Sequence, residues 1–165
     1  MKKIGIFYGT TTGTTADVAS RLGKLLGVAD ADIHDVASTA PDKLGDYDLL
    51  VLGSSTWGNG ELQDDWYDFI AGAQALDLKG KKIAIFGCGD ETMSDTFCNA
   101  VGIIYDKLRD TGAIFIGEFP AKEYHYDHSD ATDGDTMRGL VLDETNHPEL
   151  TDKRLKMWAQ EITKA

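Results

Sequence analysis

A loop rich in threonine and glycine is the first segment of this sequence whose residue types could bind a ligand. Its residues are Thr10, Thr11, Thr12, Gly13, Thr14 and Thr15. Glycine permits a tight turn, and the backbone N–H groups at the start of a following helix attract an anion. Because no Lys or Arg occurs between Ile4 and Ser20, we expect the loop to anchor a phosphate group without transferring it. The alternative is a turn and a helix cap without a ligand.

A second candidate loop places a large aromatic residue among small ones. It comprises Ser54, Ser55, Thr56, Trp57, Gly58, Asn59 and Gly60. The indole of Trp57 offers a flat apolar face on which a planar ligand could stack, and a partly buried core tryptophan is the alternative. The peptide between Gly58 and Asn59 tolerates positive φ on either side, so we expect that it can flip when the ligand changes.

A third candidate loop follows the next apolar run and contains Cys88, Gly89, Asp90 and Met93. Glycine lets the backbone approach a heterocycle closely enough for main-chain N–H and C=O groups to hydrogen-bond its edge. Met93 could cover the second ring face through a sulfur–aromatic contact, and packing of this side chain against the protein's own core is the alternative. The three loops together favour a planar ligand that carries a phosphate.

Strand-like and helix-like patterns alternate along the chain and predict the frame that holds these loops. Apolar runs predict five strands, at residues 4–8, 32–36, 49–53, 83–87 and 113–117. Apolar residues of helical period lie between the strands and near the C-terminus, and the segment around Pro41–Asp46 is the weakest of these helices. Strands that are apolar on both faces and alternate with amphipathic helices indicate an α/β fold with a parallel sheet covered on both faces.

Two helix starts and one interruption stand out in this alternation. Thr14 and Asp17 have the spacing of a capping box, and Thr151 is placed to cap the last helix. From Phe119 to Arg138 the chain is polar and contains several aromatic residues, and a strand-like run resumes at residues 140–142. Because a twenty-residue irregular loop is unusual in a compact domain, we interpret residues 119–138 as an insertion that splits the fifth strand.

The loops after the first, third and fourth predicted strands meet at one edge of such a sheet. Ligands of open α/β sheets bind beyond the carboxyl ends of the strands, where the strand order reverses. Residues 44–78 hold seven acids and no base, and residues 83–106 hold four acids and no base. A rim without cations raises the cost of adding negative charge to a bound ring, which predicts a lowered reduction potential.

The composition favours a soluble protein with one core. A chain of 165 residues fits a single domain, and it contains no apolar run near the roughly 18 residues of a membrane span. The formal net charge of −12 argues against nucleic-acid binding and favours basic protein partners, although acidic surfaces also simply keep proteins soluble. The first residues do not form a secretion signal, so we expect a cytoplasmic protein.

Other chemistries fit the sequence poorly. Cys88 and Cys98 lack metal-type spacing and are expected to be free thiols. His125 and His128 lie in a polar loop without further His or Cys at ligand spacing, so we expect no metal site there. The glycines of residues 9–15 match neither the Mg-triphosphate motif nor the dinucleotide motif. No Ser-His-Asp or Cys-His nucleophile can be assembled from the sequence.

Three ordered motifs give the whole chain a resemblance to the flavodoxin family. Residues 9–15 resemble the phosphate loop of that family, residues 56–60 its first isoalloxazine loop, and residues 87–98 its second. The insertion at residues 119–138 is similar to the one that marks long-chain members. The resemblance implies a five-stranded sheet of order 2-1-3-4-5, tightly but noncovalently bound FMN, and one-electron transfer.

The resemblance also assigns roles to residues of the first two loops. The segment from Thr10 to Thr15 would hold the phosphate, and Trp57 would stack on one face of the flavin ring. The Gly58 carbonyl would turn toward the flavin N5 when that nitrogen gains a proton.

In the third loop, the resemblance implies backbone contacts from Cys88, Gly89 and Asp90 to the pyrimidine edge, with Cys98 nearby. Met93 departs from the family pattern, in which most relatives place a tyrosine against the outer ring face. Losing an aromatic stack costs about 1 kcal/mol of ring binding, and the thioether recovers part of it.

The sequence therefore predicts a low-potential electron shuttle that takes electrons from a reductase or oxidoreductase and passes them to acceptor enzymes. It would convert no substrate of its own, would remain monomeric, and would dock transiently on basic-surfaced partners. An FMN-dependent reductase or a dedicated accessory flavoprotein of the same fold is the alternative, recognisable by NAD(P)H oxidation without a separate reductase. A phosphorylatable receiver domain is a distant alternative, because Tyr8-Gly9 and Gly53-Ser54 stand where its acidic residues belong.

Overall fold

The computed structural model describes residues 3–57, 60–90, 92–93 and 96–165, without the side chains of Trp57 and Glu123. The strands in these ranges are β1 (Ile4–Gly9), β2 (Ile33–Asp35), β3 (Leu49–Trp57), β4 (Glu61–Leu62), β5 (Lys82–Cys88), β6 (Ile114–Ile116), β7 (Phe119–Pro120), β8 (Thr132–Asp133), β9 (Thr136–Met137) and β10 (Leu140–Leu142). The α-helices are α1 (Thr14–Leu26), α2 (Trp66–Ala73), α3 (Asn99–Leu108) and α4 (Pro148–Lys164). Short 3₁₀ helices lie at Asp30–Asp32, Val36–Ser38, Pro41–Asp46, Arg109–Thr111 and Ala121–Glu123.

The central sheet runs in the order β2, β1, β3, β5, β10, and all neighbours on this path are parallel. β6 also pairs in parallel with β5, at Lys82–Ala84, whereas β10 pairs with β5 at Phe86–Cys88. β6 and β10 thus occupy successive stretches beside the same strand. The predicted α/β fold, its strand order 2-1-3-4-5 and the splitting of the fifth strand are confirmed.

The middle of the sheet is buried on both faces. Leu49, Leu50, Val51 and Leu52 are consecutive residues of β3 and are all fully buried. Side chains alternate between the two faces of a strand, so a run of this kind requires cover on both faces. Two pairs of helices supply that cover, because α1 packs with α4 and α2 packs with α3.

Two of the predicted helix starts are wrong. α1 begins at Thr14, but its N-cap is Gly13 in the left-handed region at φ 91°, and no side chain caps the helix. α4 begins with Pro148, whose fixed φ suits a first turn, so Thr151 lies inside the helix and donates instead to Glu144 Oε2 at 2.9 Å. The weak helix predicted around Pro41–Asp46 is a 3₁₀ helix.

The insertion forms a small antiparallel sheet of order β7, β9, β8. It is fastened to the start of α3, because Ser129 Oγ donates to the Phe97 carbonyl and the Asp130 N–H donates to Asn99 Oδ1 at 2.7 Å. Its backbone also approaches α3 closely, since a Cβ on Gly102 would lie 2.0 Å from the Asp130 carbonyl oxygen. None of the helices in the described ranges has the length and apolar character needed to cross a membrane.

Candidate functional site

A cleft of about 270 Å³ opens at the carboxyl edge of the sheet, beyond the ends of β1, β3, β5 and β10. The residues that line it are Thr12, Thr14, Ser55, Thr56, Cys88, Gly89, Asp90, Met93, Thr96, Phe97, Cys98, Glu144 and Thr145. All three loops singled out in the sequence therefore contribute to one cleft. This arrangement follows from the topology. β1 and β3 are neighbours in the sheet, but the helices that follow them, α1 and α2, belong to different helix pairs. The two connections therefore diverge at this edge, where open α/β sheets bind their ligands.

The loop after β1 presents uncapped backbone donors. The Gly13 N–H donates to Thr10 Oγ1 at 3.0 Å, which closes the turn, and the Asp17 N–H donates to the Gly13 carbonyl at 3.0 Å. Among the described residues, no side chain caps the N-terminus of α1, and Thr12 and Thr14 at this helix start line the cleft. A helix start of this kind combines free N–H groups with the positive end of the helix dipole and so favours an anion.

Thr15 adds a buried hydroxyl to this loop. Its side chain is 1% exposed, and among the described residues Thr15 Oγ1 makes no hydrogen bond of normal geometry, with the Cys88 thiol as a weakly interacting neighbour. A buried hydroxyl without a partner is costly, and native proteins rarely keep one. The atom is therefore well suited to bind a ligand oxygen delivered to the start of α1.

Gln63 supports the loop from behind and was not identified in the sequence. The residue is buried, and its Nε2 donates to the Thr10 carbonyl at 3.2 Å and to Thr11 Oγ1 at 3.1 Å. Its backbone N–H donates to Ser54 Oγ at 3.2 Å. Thr10, Thr11 and Ser54 thus contact Gln63 and are not among the cleft-lining residues of the described structure, whereas Thr12 and Thr14 line the cleft.

The loop after β3 begins later than predicted, because β3 continues to Trp57 and its end pairs with β4. Thr56 Oγ1 accepts the Ala100 N–H at 3.1 Å and so connects this loop to the first turn of α3. Gly60 adopts φ 88°, and a Cβ there would lie 2.4 Å from Asn99 Nδ2, so only glycine fits. The Trp57 side chain, Gly58 and Asn59 lie outside the described residues, and their roles stay predictions.

The loop after β5 brings both cysteines to the cleft. Cys88 is 5% exposed and Cys98 is fully buried, and neither cysteine forms a disulfide in the described structure. A Cβ on Gly89 would lie 2.6 Å from Cys98 Sγ. The backbone at position 89 can therefore lie this close to the Cys98 side chain only because the residue is glycine. Met93 is 52% exposed and lines the cleft, so it does not pack into the core.

Burial controls the chemistry of the Cys88 thiol. Desolvation raises the pKa of Cys88 to about 12, with an opposing effect from the nearby Thr15 hydroxyl and a smaller upward effect from Glu144. The thiol therefore stays protonated at neutral pH, where it is a weak nucleophile. It acts as a small apolar wall of the cleft.

Asp90 is the opposite case, because hydrogen bonds keep it ionised. Its Oδ1 accepts the Thr92 hydroxyl at 2.5 Å, the Thr92 N–H at 2.8 Å and Asn146 Nδ2 at 2.6 Å. The Thr92 hydroxyl is the largest cause that holds the pKa of Asp90 below its ordinary value, against a smaller effect of burial. Asp90 thus contributes a fixed negative charge to the cleft.

A fourth segment, after β10, also lines the cleft and was not predicted as part of the site. Glu144 and Thr145 lie there, with the Glu144 carboxylate held by Arg21 and Thr151. The sequence indicated this position, because the strand-like run at residues 140–142 completes the split fifth strand. The carboxyl end of that strand lies at the same edge of the sheet as the three predicted loops. Thr96 and Phe97 were also missed, although they lie between Met93 and Cys98 in the third loop.

The cleft is anionic. The charged residues among those lining it in the described part of the chain are Asp90 and Glu144, and none is Lys or Arg. Within the same ranges, no group of three or more His, Cys, Asp or Glu residues could hold a metal ion. The site can therefore bind a phosphate with neutral groups at one end and surround the rest of a ligand with apolar walls and carboxylates.

Comparisons with known proteins agree with this geometry. A sequence model of the Flavodoxin family matches residues 6–158. The flavodoxin of Klebsiella pneumoniae is 41% identical over 164 residues, covering 98% of this chain and 93% of that protein. Flavodoxin 1 of Escherichia coli (strain K12) is 42% identical over 161 residues, covering 96% and 92%.

Solved structures show the same relationship. Fusobacterium nucleatum flavodoxin bound to flavin mononucleotide matches with a TM-score of 0.91 at 29% identity, covering 99% of this chain and 98% of that one. A mutant of the same protein, also bound to flavin mononucleotide, matches with a TM-score of 0.92 at 30% identity, covering 99% and 96%. On its sequence, its fold and the position of its cleft, this chain belongs to the flavodoxin family.

Proposed function

We propose that this flavodoxin is a low-potential one-electron carrier that binds FMN noncovalently in the cleft at the carboxyl edge of the sheet. The observation that carries the proposal is the start of α1, where the described residues provide no side-chain cap and no well-formed hydrogen bond to the buried Thr15 hydroxyl, placed beside a cleft with apolar and carboxylate walls. The F. nucleatum flavodoxin that binds flavin mononucleotide has the same fold over 99% of this chain, which supports the choice of ligand.

The start of α1 fits the phosphate of FMN. The first-turn N–H groups and the hydroxyls of Thr12, Thr14 and Thr15 would hold it, while Thr10 and Gly13 set the turn. The residues of this loop carry no formal positive charge, so a bound phosphate keeps its own charge and is not activated for transfer. These groups therefore anchor the cofactor and take no part in its redox chemistry.

The other end of the cleft fits the flavin ring. FMN, when bound, supplies a ring that accepts and releases electrons one at a time. The backbone around Cys88, Gly89 and Asp90 would hold its polar edge, with Ser55, Thr56 and Cys98 beside it. Met93 would cover one face, and we assign the other face to Trp57, with Gly58, Asn59 and Gly60 next to it. The carboxylate of Asp90, and to a smaller extent that of Glu144, which Arg21 partly neutralises, raises the cost of adding negative charge to the ring.

The remaining expectations concern partners and cellular context. We propose that residues 1–165 form one FMN-binding domain that acts as a monomer in the cytoplasm, without a substrate of its own and without nucleic acid or membrane. The formal net charge of −12, together with carboxylates in the cleft, supports transient docking of basic-surfaced reductases and acceptor enzymes. An FMN-dependent reductase of the same fold remains the alternative.

Reconstitution of the purified apoprotein with FMN tests the proposal and separates these alternatives. We expect one FMN per chain, stepwise reduction by dithionite in separate one-electron stages, and no NAD(P)H oxidation until a flavodoxin reductase is added. A protein that takes up no FMN would refute the proposal. Oxidation of NAD(P)H by the reconstituted protein alone would favour the reductase.

A further inference from the structure

The loops after β5 and β10 leave the sheet side by side. The last backbone hydrogen bond between these two segments runs from the Gly89 N–H to the Leu142 carbonyl, at 2.9 Å. Beyond that bond each of the two segments enters a turn that contributes to the cleft wall. Asp90 lies in the turn after β5, and Thr145 lies in the turn after β10. Side chains must therefore hold the two turns together past the end of the sheet.

Asn146 provides this connection. Its Nδ2 donates to Asp90 Oδ1 at 2.6 Å and to Asp143 Oδ2 at 2.8 Å. Both neighbours are carboxylate oxygens, which only accept, so the amide nitrogen and not the amide oxygen must face them. The two N–H bonds of one neutral amide thus bridge two carboxylates that would otherwise repel each other.

Each carboxylate in turn organises its own backbone. Asp143 is 1% exposed, and its Oδ1 accepts the N–H groups of Thr145 and Asn146 at 3.0 and 2.8 Å. Asp90 Oδ1 accepts the Thr92 N–H, and the Met93 N–H donates to the Asp90 carbonyl at 2.9 Å. The buried Asp143 carboxylate therefore anchors the turn after β10, and the exposed Asn146 couples that turn to the one that carries Met93 to the cleft.

We propose that Asn146 is a positioning residue for the cofactor, because its side-chain amide fixes the loop after β5 to the turn after β10 and thereby sets the backbone of Gly89, Asp90 and Met93 against the ring. The inference rests on the proposed function, since the ring is that of FMN. It assigns Asn146 an effect on the ring end of the cleft and none on the phosphate end at the start of α1.

Two variants and two flavins test the inference. Asn146→Ala removes both donors, and Asn146→Asp replaces them at neutral pH with a third carboxylate. Gln160→Glu on the exposed part of α4 is the matched control, since it makes the same amide-to-carboxylate change far along the helix from the turn. The measurements are the dissociation constants of riboflavin and FMN for each apoprotein, between about pH 8 and pH 5, and the thermal unfolding of each apoprotein.

We expect Asn146→Ala to weaken riboflavin and FMN binding by the same factor, roughly three- to tenfold, because the phosphate end is unchanged. Asn146→Asp should bind riboflavin more weakly still at high pH. Its affinity should recover as the pH falls, because carboxylate neighbours raise the pKa of the introduced carboxyl, and the protonated form donates one hydrogen bond. The wild type and Gln160→Glu provide the baseline for the pH dependence of flavin binding. Both proteins contain the other charged and titratable groups around this turn, which are Asp90, Asp143, His147 and the Arg21–Glu144 pair.

Unchanged affinity in both Asn146 variants would overturn the inference. A loss in Asn146→Asp that equals that of Asn146→Ala at every pH would also overturn it, because the size of the side chain and not its donors would then matter. A wild-type apoprotein that binds neither flavin would overturn the proposed function itself, and the inference with it.

Discussion

The Arg21 guanidinium on α1 and the Glu144 carboxylate after β10 form an ion pair at the back of the cleft, with Nη1 and Oε1 2.5 Å apart. Arg21 also contacts Asp152 at 2.7 Å and Asp17 at 3.3 Å. Glu144 lines the cleft, whereas Arg21 lies behind it. The pair thus fastens the helix that begins at the phosphate site to the turn that carries Glu144 and Asn146, and it partly neutralises a carboxylate next to an anion site.

Removing the cation tests this arrangement. Arg21→Gln leaves the Glu144 carboxylate in the cleft wall without its cationic partner, so we expect weaker binding of the anionic FMN and a free energy of unfolding lower by about 1–2 kcal/mol. Lys24→Gln, which removes an exposed cation from the same helix, is the control. The measurements are FMN titration and urea unfolding at low salt. Equal effects of the two substitutions would show that only net charge matters.

The Thr15 hydroxyl separates cofactor binding from stability. Thr15→Val removes a buried hydroxyl that makes no hydrogen bond of normal geometry among the described residues, so we expect the apoprotein to keep its stability or gain about 1 kcal/mol. FMN binding should weaken roughly tenfold, because one donor to the phosphate is lost, while riboflavin binding should not change. Thr163→Val, on an exposed part of α4, is the control. Riboflavin affinity that falls as much as FMN affinity would place Thr15 away from the phosphate.

Gly102 tests whether the insertion needs its close contact with α3. A Cβ there would lie 2.0 Å from the Asp130 carbonyl oxygen and 2.9 Å from the Ala131 nitrogen, and backbone atoms cannot easily move away. We therefore expect Gly102→Ala to lower the free energy of unfolding by about 1–3 kcal/mol, although alanine favours a helix. Gly45→Ala, where no atom lies within 4 Å of the added Cβ, is the control. Equal stability of both variants in urea unfolding would refute the tight contact.

His34 gives the folded protein a defined dependence on pH. Burial is the main cause that holds the pKa of His34 below its ordinary value of 6.5, and Lys43 adds to it, against opposing effects of Asp32 and Asp46. The unfolded chain therefore binds the proton more readily, so stability is lost as the pH falls through 6.5 toward the folded pKa.

A histidine variant isolates this contribution. His34→Gln can keep a hydrogen bond to the Tyr47 hydroxyl, which lies 2.6 Å from His34 Nε2. We expect its free energy of unfolding to fall less steeply than that of the wild type between about pH 7.5 and pH 5.5. His125→Gln, the same substitution at an exposed histidine of the insertion, is the matched control. Identical slopes for the wild type and His34→Gln would contradict the expected loss.

Periodicity and loop chemistry were enough to predict the sheet and the edge at which the cleft lies. Leu49 to Leu52 form an unbroken apolar run, which a strand buried on both faces requires, and the glycine-rich loops follow such runs. The split fifth strand was also readable, because apolar residues resume after the polar insertion. Such patterns can be read from the sequence because buried side chains recur along the chain with the period of a strand or a helix.

Residues that act through contacts distant in sequence could not be predicted. Gln63 reaches Ser54, Thr11 and Thr10 at 9 to 53 positions away, and Arg21 and Glu144 are 123 residues apart. The helix cap at Gly13 was mispredicted for a different reason, since Thr14 has the residue type of a cap but the left-handed glycine before it starts the helix. A capping motif in the sequence therefore competes with turn geometry, which residue types alone do not settle.

The two midpoint potentials of bound FMN, compared with those of free FMN in the same buffer, test most directly whether an anionic cleft makes this protein a low-potential one-electron carrier. We expect two resolved one-electron steps, with the second lying below that of free FMN, because Asp90 and Glu144 line the cleft and no Lys or Arg is among its described lining residues. A single two-electron step, or a second potential at or above that of free FMN, would contradict this function.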